Sequence, residues 1–154
     1  MGYSVKIAKL VKHFLDEDSW NYDFDEEKGT FHFNLTLKGK LQKISYHVMV
    51  RQFDFSVYAV CPISADECKA QMAEFVSRVN YGLVNGNFEL DFRDGEIRYK
   101  CFVNCDGTDP GKQIIKDSIY IPAQMFKRYG DGILAVIFEM KTPEQAAQDC
   151  KAAP

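Results

Sequence analysis

The sequence predicts an α+β domain: an antiparallel sheet of about five strands with packed helices, in the order α-β-β-β-α-β-β-α(α). Three observations carry this. Apolar residues recur first at helical spacing, they later alternate along strand-like stretches, and short turn signals join neighbouring strands, which makes the pairs antiparallel. No repeat, low-complexity tract or linker interrupts residues 1–154, so the chain reads as one domain.

In residues 5–15, Ile7, Val11, Phe14 and Leu15, with Leu10 alongside, form a helical stripe that Asp16 to Ser19 end. A short extended piece around Trp20, Tyr22 and Phe24 follows. Then Phe31, Phe33, Leu35 and Leu37 alternate with His32, Asn34 and Thr36, the pattern of a half-buried strand. Taking Gly39 and Lys40 as a type II′ turn places Phe31 opposite Val48, Phe33 opposite Tyr46 and Leu35 opposite Ile44, so both strands turn apolar residues to one face. A turn near Phe53 and Asp54 leads to a third strand, 55–61, in which Val57, Ala59 and Cys61 continue that face.

Ile63, Ser64 and Glu67 form a capping-box signature, and Cys68, Met72, Phe75, Val76 and Val79 make the buried stripe of a second helix ended by Gly82. The next hairpin turns at Asp94 and Gly95. A type I′ turn there pairs Arg93 with Glu96, Phe92 with Ile97, Asp91 with Arg98, Leu90 with Tyr99 and Glu89 with Lys100, one face apolar and the other of opposite charges. Asp109 and Pro110 start a third helix carrying Ile114, Ile115 and Ile119, which Pro122 interrupts. A further helix runs through Met125, Phe126, Tyr129, Ile133 and Ile137, weakened at Gly130 and Gly132. Thr142, Pro143 and Gln145 begin a last short helix in a frayed tail, 141–154.

The composition is 46% hydrophobic, 27% charged and 14% aromatic, which is globular rather than disordered. Net charge is −3, and the 19 lysines and arginines are scattered singly, so no basic stripe marks a nucleic-acid partner. No apolar run approaches the length of a membrane span, and the N-terminal stretch lacks a secretory signal; the expectation is a cytoplasmic protein with no membrane partner. Five cysteines without a CxxC pair fit neither a disulfide framework nor a zinc ribbon, so reduced, buried thiols are expected.

Nothing resembles a nucleophile elbow, and "NGNF" and "GDG" lack the lysine and spacing of phosphate-binding loops, so no catalytic or cofactor-binding residue is expected. The inferred register sets His32 directly opposite His47. Two facing imidazoles could hold a metal or titrate as a pair; the plainer alternative is two sheet histidines, since Asn34 and Ser45 are their nearest polar neighbours and supply no third ligand. On the same face Met49, Tyr58, Val60 and Phe102 are apolar among charges, the composition of a protein contact. The alternative is that the C-terminal helices cover them. The acids of the Asp94–Gly95 hairpin lack the alternating oxygen ligands of a calcium loop.

The run from Arg78 through "NYGLVNGNFELDFRDGEIRYK" resembles the signature of the YbjN-like domain family, bacterial sensory transduction regulators whose fold is similar to that of the type III secretion chaperones. Asn80, Tyr81, Gly86, Phe88, Asp91, Asp94, Gly95 and Tyr99 match it. Trp20, Pro62, Glu74, Phe75 and "MFKRYGDGILAVI" also sit where that family has them. The resemblance implies a non-enzymatic, usually dimeric domain that binds other proteins as a chaperone-like or regulatory adaptor. The family has no agreed catalytic residues, so the matched residues, with Arg98 as the partner of Asp91, read as scaffold. The expectation is therefore a protein-binding homodimer without a cofactor; the alternative is a small metal-dependent or pH-sensing protein using His32 and His47.

Overall fold

Ser4 opens the first helix, its hydroxyl accepting from the Ile7 N–H at 3.2 Å, and α1 runs over Val5–Glu17. The computed structural model describes residues 2–154. Ile7, Ala8, Val11, Phe14 and Leu15 bury one face of α1, and the chain leaves the helix through Ser19 at positive φ.

The extended piece after Trp20 is a strand, β1 (Tyr22–Asp25), which brings the sheet to six strands. It is only four residues long, too short for its alternation to stand out, and it is held by what it packs on: Phe24 stacks on Phe31 with ring centroids 4.3 Å apart. Trp20 beside it donates Nε1–H to Asp18 at 2.9 Å and packs on Phe33 at 4.9 Å, tying the end of α1 to the sheet.

The strands β2 (Thr30–Thr36), β3 (Lys43–Val50), β4 (Asp54–Val60), β5 (Asn87–Leu90) and β6 (Ile97–Asn104) complete an all-antiparallel sheet in the order β1-β2-β3-β4-β6-β5. The β2–β3 register is as expected, with Phe31 opposite Val48, Phe33 opposite Tyr46 and Leu35 opposite Ile44. The connection itself is wider than two residues. Leu37 N–H donates to the Gln42 carbonyl at 2.7 Å, and Leu37 and Leu41 fold back into the core around the exposed Lys38–Gly39–Lys40 tip.

The β5–β6 hairpin departs from the expected register by two residues. Leu90 faces Ile97, Phe88 faces Tyr99 and Glu89 faces Arg98, while residues 91–96 form a loop and Phe92 lies exposed in it. Asp91 therefore pairs with Arg93 at 2.6 Å rather than with Arg98, and Glu89 takes both Arg98 (2.9 Å) and Lys100 (3.0 Å). The longer loop is set by docking: Ala65 N–H donates to the Gly95 carbonyl at 2.9 Å and the Ser64 hydroxyl to the Asp94 carbonyl at 2.5 Å. Gly95 has φ +76° and lies so close to Asp66 N that no Cβ would fit.

That docking also changes the start of the second helix. Ser64 accepts from the Asp66 N–H at 3.1 Å instead of closing a capping box with Glu67, and a 3₁₀ turn (Asp66–Cys68) leads into α2 (Lys69–Asn80). Met72, Phe75, Val76 and Val79 are buried as expected, with Cys68 at the head of the stripe.

Pro122 does not break the third helix. A single helix, α3 (Lys112–Ile137), spans 26 residues with Pro122 inside it. A proline within a helix deprives the carbonyl four residues back of its donor and distorts the turn. The buried Tyr46 hydroxyl reaches that turn from β3 and donates to the Ile119 carbonyl at 2.6 Å. The helix is capped by Gly111, not by Asp109, whose carboxylate pairs with Lys6 at 2.8 Å; Ile114 is exposed. Gly130 and Gly132 mark close packing rather than weakness, with Leu41 lying on the first and Phe75 and Cys150 on the second.

The C-terminal segment is a docked helix, α4 (Pro143–Ala152), started by Thr142 accepting from the Gln145 N–H at 3.2 Å. Ala146, Ala147 and Cys150 are buried on its inner side. All five cysteines are free thiols and buried.

Candidate partner-binding surface

Helices α1 to α4 share one side of the sheet. Tyr46 and Phe88 point into it, the first bonded to α3 at Ile119 and the second packed edge-on against Phe126 and Tyr129 with centroids 5.4 and 5.9 Å away. The opposite side carries the alternate residues of every strand and, among the described residues, has no helix over it. The C-terminal helices, the alternative cover suggested by the sequence, do not reach it: Met49 is 44% and Phe102 56% exposed.

Across the middle of this open face the strands align in rows. Met49 on β3 faces Ser56 on β4, which faces Phe102 on β6. Ser56 lies at the centre of that row and is only 2% exposed. Its hydroxyl accepts from the Arg51 guanidinium at 2.6 Å, and the same guanidinium holds Asp54 at 2.6 Å. The next row sets His47 against Tyr58 and Tyr58 against Lys100, and the third sets Ser45, Val60 and Arg98 side by side. Tyr58 and Val60 are half-buried. Arg98 spreads over the Tyr58 ring, 4.1 Å from its centroid, while ion-paired to Glu89. Burial works to raise the Glu89 carboxyl, but hydrogen bonds from Lys100 and Arg98 hold it below the usual range. The result is an apolar strip, Met49 to Phe102 with Tyr58 and Val60, along a border of mutually neutralised charges. Of this surface, sequence reading missed the Arg51–Asp54–Ser56 clamp, because its residues lie at a turn whose geometry the alternation does not specify.

At the β1 end the face becomes polar. His32 and His47 are directly opposite, as expected, with ring centroids 4.6 Å apart and planes at 86°. Burial pushes the His47 imidazole below its ordinary pKa, helped by neighbouring His32 and Arg98. Asp23 on β1 faces His32 from the other side, a neighbour the sequence hid because β1 was not evident. Asn21, Asp23, His32, Asn34, Ser45 and His47 line a shallow depression here. Among the described residues no group of three or more His, Cys, Asp and Glu side chains is arranged to hold a metal ion.

The signature residues divide. Asn80 bonds the Phe88 backbone, Tyr99 donates to the Asn85 carbonyl, and Gly86, at φ +77°, lies against the Lys100 carbonyl. Asp91 accepts from the Arg93 guanidinium and backbone N–H, which draw its carboxyl down to about 2, and Asp94 accepts from the Glu96 N–H at 3.0 Å. Arg98 belongs to the open face. Tyr81 caps the end of α2, its N–H donating to the Ser77 carbonyl, while the residue is 87% exposed.

No protein-family model matches this chain, and no curated protein matches it. Among solved structures, its fold is similar to the type III secretion chaperone SycH of Yersinia pestis, solved in complex with a stable fragment of YscM2, with a TM-score of 0.50 at 12% identity. The likeness covers 77% of this chain and 95% of that one, and it establishes the secretion-chaperone type of α+β fold. No helix among the described residues is long and apolar enough to cross a membrane.

Proposed function

We propose that this chain is a non-enzymatic, chaperone-like or regulatory adaptor that takes an extended segment of another protein onto its open sheet face. The observation that carries this reading is the pair Met49 and Phe102, exposed on either side of the buried Ser56 with half-buried Tyr58 and Val60 beside them, an apolar strip bordered by paired charges, as protein interfaces are. The chaperone fold, and a neighbour of that fold solved with a fragment of another protein, support it. The same reading places the chain with the bacterial YbjN-like domains as a cytoplasmic homodimer.

A photo-crosslinking residue at Phe102 tests it, with one at the exposed Gln124 of α3 as control. The expected result is a discrete protein adduct from Phe102, lost when Met49 and Val60 are changed to Glu. Equal labelling from both positions would sink the reading. Sedimentation equilibrium checks the dimer, and a monomer at all concentrations removes that part. The His32–His47 pair favours a second reading, a metal-dependent or pH-sensing role, because two facing imidazoles on an open sheet are a chemical group in their own right.

A further inference from the structure

We propose that His32 and His47 together chelate a divalent late-transition-metal ion, with Asp23 as the third protein donor. Residues directly opposite on antiparallel strands have Cβ atoms about 5 Å apart, and the two rings here are 4.6 Å centre to centre. Small χ rotations therefore aim one nitrogen of each ring at a common point above the strands. Imidazole is a ligand of choice for zinc, copper and nickel, and a chelating pair binds them more tightly than either ring alone.

Asp23 comes next in the same cross-strand row, facing His32 from β1, and its side chain is exposed with no hydrogen bond or ion pair to another described residue. The side chains as they stand do not form a three-donor cluster. Rotation of Asp23 over the depression completes one, with water filling the remaining positions as in open zinc sites. The donor set excludes magnesium and calcium, which require mostly oxygen ligands.

The third histidine, His13, lies on α1 against Glu17 at 3.1 Å and serves as an internal control. The probe is zinc, and separately nickel(II), titrated into the full chain by calorimetry while the histidine ring resonances are followed by NMR. The expected result is one site that shifts His32 and His47 together. His32→Gln or His47→Gln weakens it about tenfold or more, His13→Gln leaves it intact, and Asp23→Asn weakens it by a smaller factor. Binding also weakens as pH falls through the imidazole range, as protons compete. No binding at millimolar zinc, binding that survives His47→Gln, or binding lost with His13→Gln overturns the site; unchanged affinity in Asp23→Asn removes the third donor. All three substitutions on the open face lie outside the core, so far-UV circular dichroism should be unchanged. Metal binding retained in Phe102→Glu separates this site from the partner strip.

Discussion

The Asn80 carboxamide engages both backbone groups of Phe88: Nδ2 donates to its carbonyl at 2.9 Å, and Phe88 N–H donates to Oδ1 at 2.8 Å. β5 is an outer strand of the sheet, so this side chain at the end of α2 supplies the bonds that a further strand would make. Asn80→Ala should lower stability by about 1–3 kcal/mol by urea denaturation and raise light scattering on storage. Asn80→Asp keeps the acceptor and should lose less. An unchanged midpoint in the alanine variant would mean that water replaces both bonds.

Tyr46→Phe removes the hydroxyl bonded to the Ile119 carbonyl, one turn before Pro122, without changing the ring's packing on Phe33 at 4.8 Å. Because the carbonyl is buried and already in a turn weakened by proline, the expected loss is about 1–3 kcal/mol by chemical denaturation. A loss below about 0.5 kcal/mol would show that the helix does not depend on this bond.

Asp91 should couple to Arg93 rather than Arg98. In double-mutant cycles of the unfolding midpoint, Asp91–Arg93 and Glu89–Arg98 should each give a measurable interaction and Asp91–Arg98 one near zero. The pH dependence follows from the depressed carboxyl. Its folded pKa of about 2 lies below the ordinary 3.8, so its stabilising effect is complete above about pH 4 and disappears as pH falls through 2. The wild type should therefore lose stability more steeply over that window than Asp91→Asn; parallel curves would refute the assignment.

Gly132→Ala and Gly130→Ala should differ in magnitude. A Cβ on Gly132 would lie 2.6 Å from Cys150 Sγ and 2.9 Å from Phe75 Cζ, between two packed helices, and should destabilise by about 1–3 kcal/mol. A Cβ on Gly130 would meet chiefly Leu41 Cδ1, at 2.7 Å, the end of a side chain that can turn away. There the helix-propensity gain of about 1 kcal/mol offsets the crowding, so Gly130→Ala should be near neutral. Equal losses in thermal melts would contradict this packing.

In α4, the amides of Ala147 and Cys150 should exchange as slowly as those of α2, because that helix is buried between α2 and α3 on its Ala146, Ala147 and Cys150 side. Exchange as fast as at Gly107 would return the segment to the frayed tail suggested by its Ala- and Pro-rich end.

Local patterning carried much of the fold and one part of the site. The stripes of α1 and α2, the β2–β3 register and the His32–His47 juxtaposition all follow from spacings of two, three and four residues, and a one-residue slip would have exposed Phe31, Phe33 and Ile44. β1 read only as an extended piece, because four residues hold too little pattern to place it in the sheet, and with its pairing went Asp23 as a neighbour of His32.

What the sequence determined by itself was most of the core-facing residues of α1, α2, β2 and β3, because burial of apolar side chains imposes a period on each element. The β5–β6 register was not determined that way. A slip of two residues preserves the alternation, and the choice fell to Gly95 and Asp94 docking on Ser64 and Ala65, a contact between segments 30 residues apart. That α3 runs on through Pro122 was likewise not legible locally: the turn before it packs on β3, where the Tyr46 hydroxyl, 73 residues away, bonds the Ile119 carbonyl. Whether Met49, Tyr58, Val60 and Phe102 stay open was also beyond the pattern: a half-apolar sheet face looks the same whether helices cover it or leave it free, and only the placement of all four helices on the other side decided it.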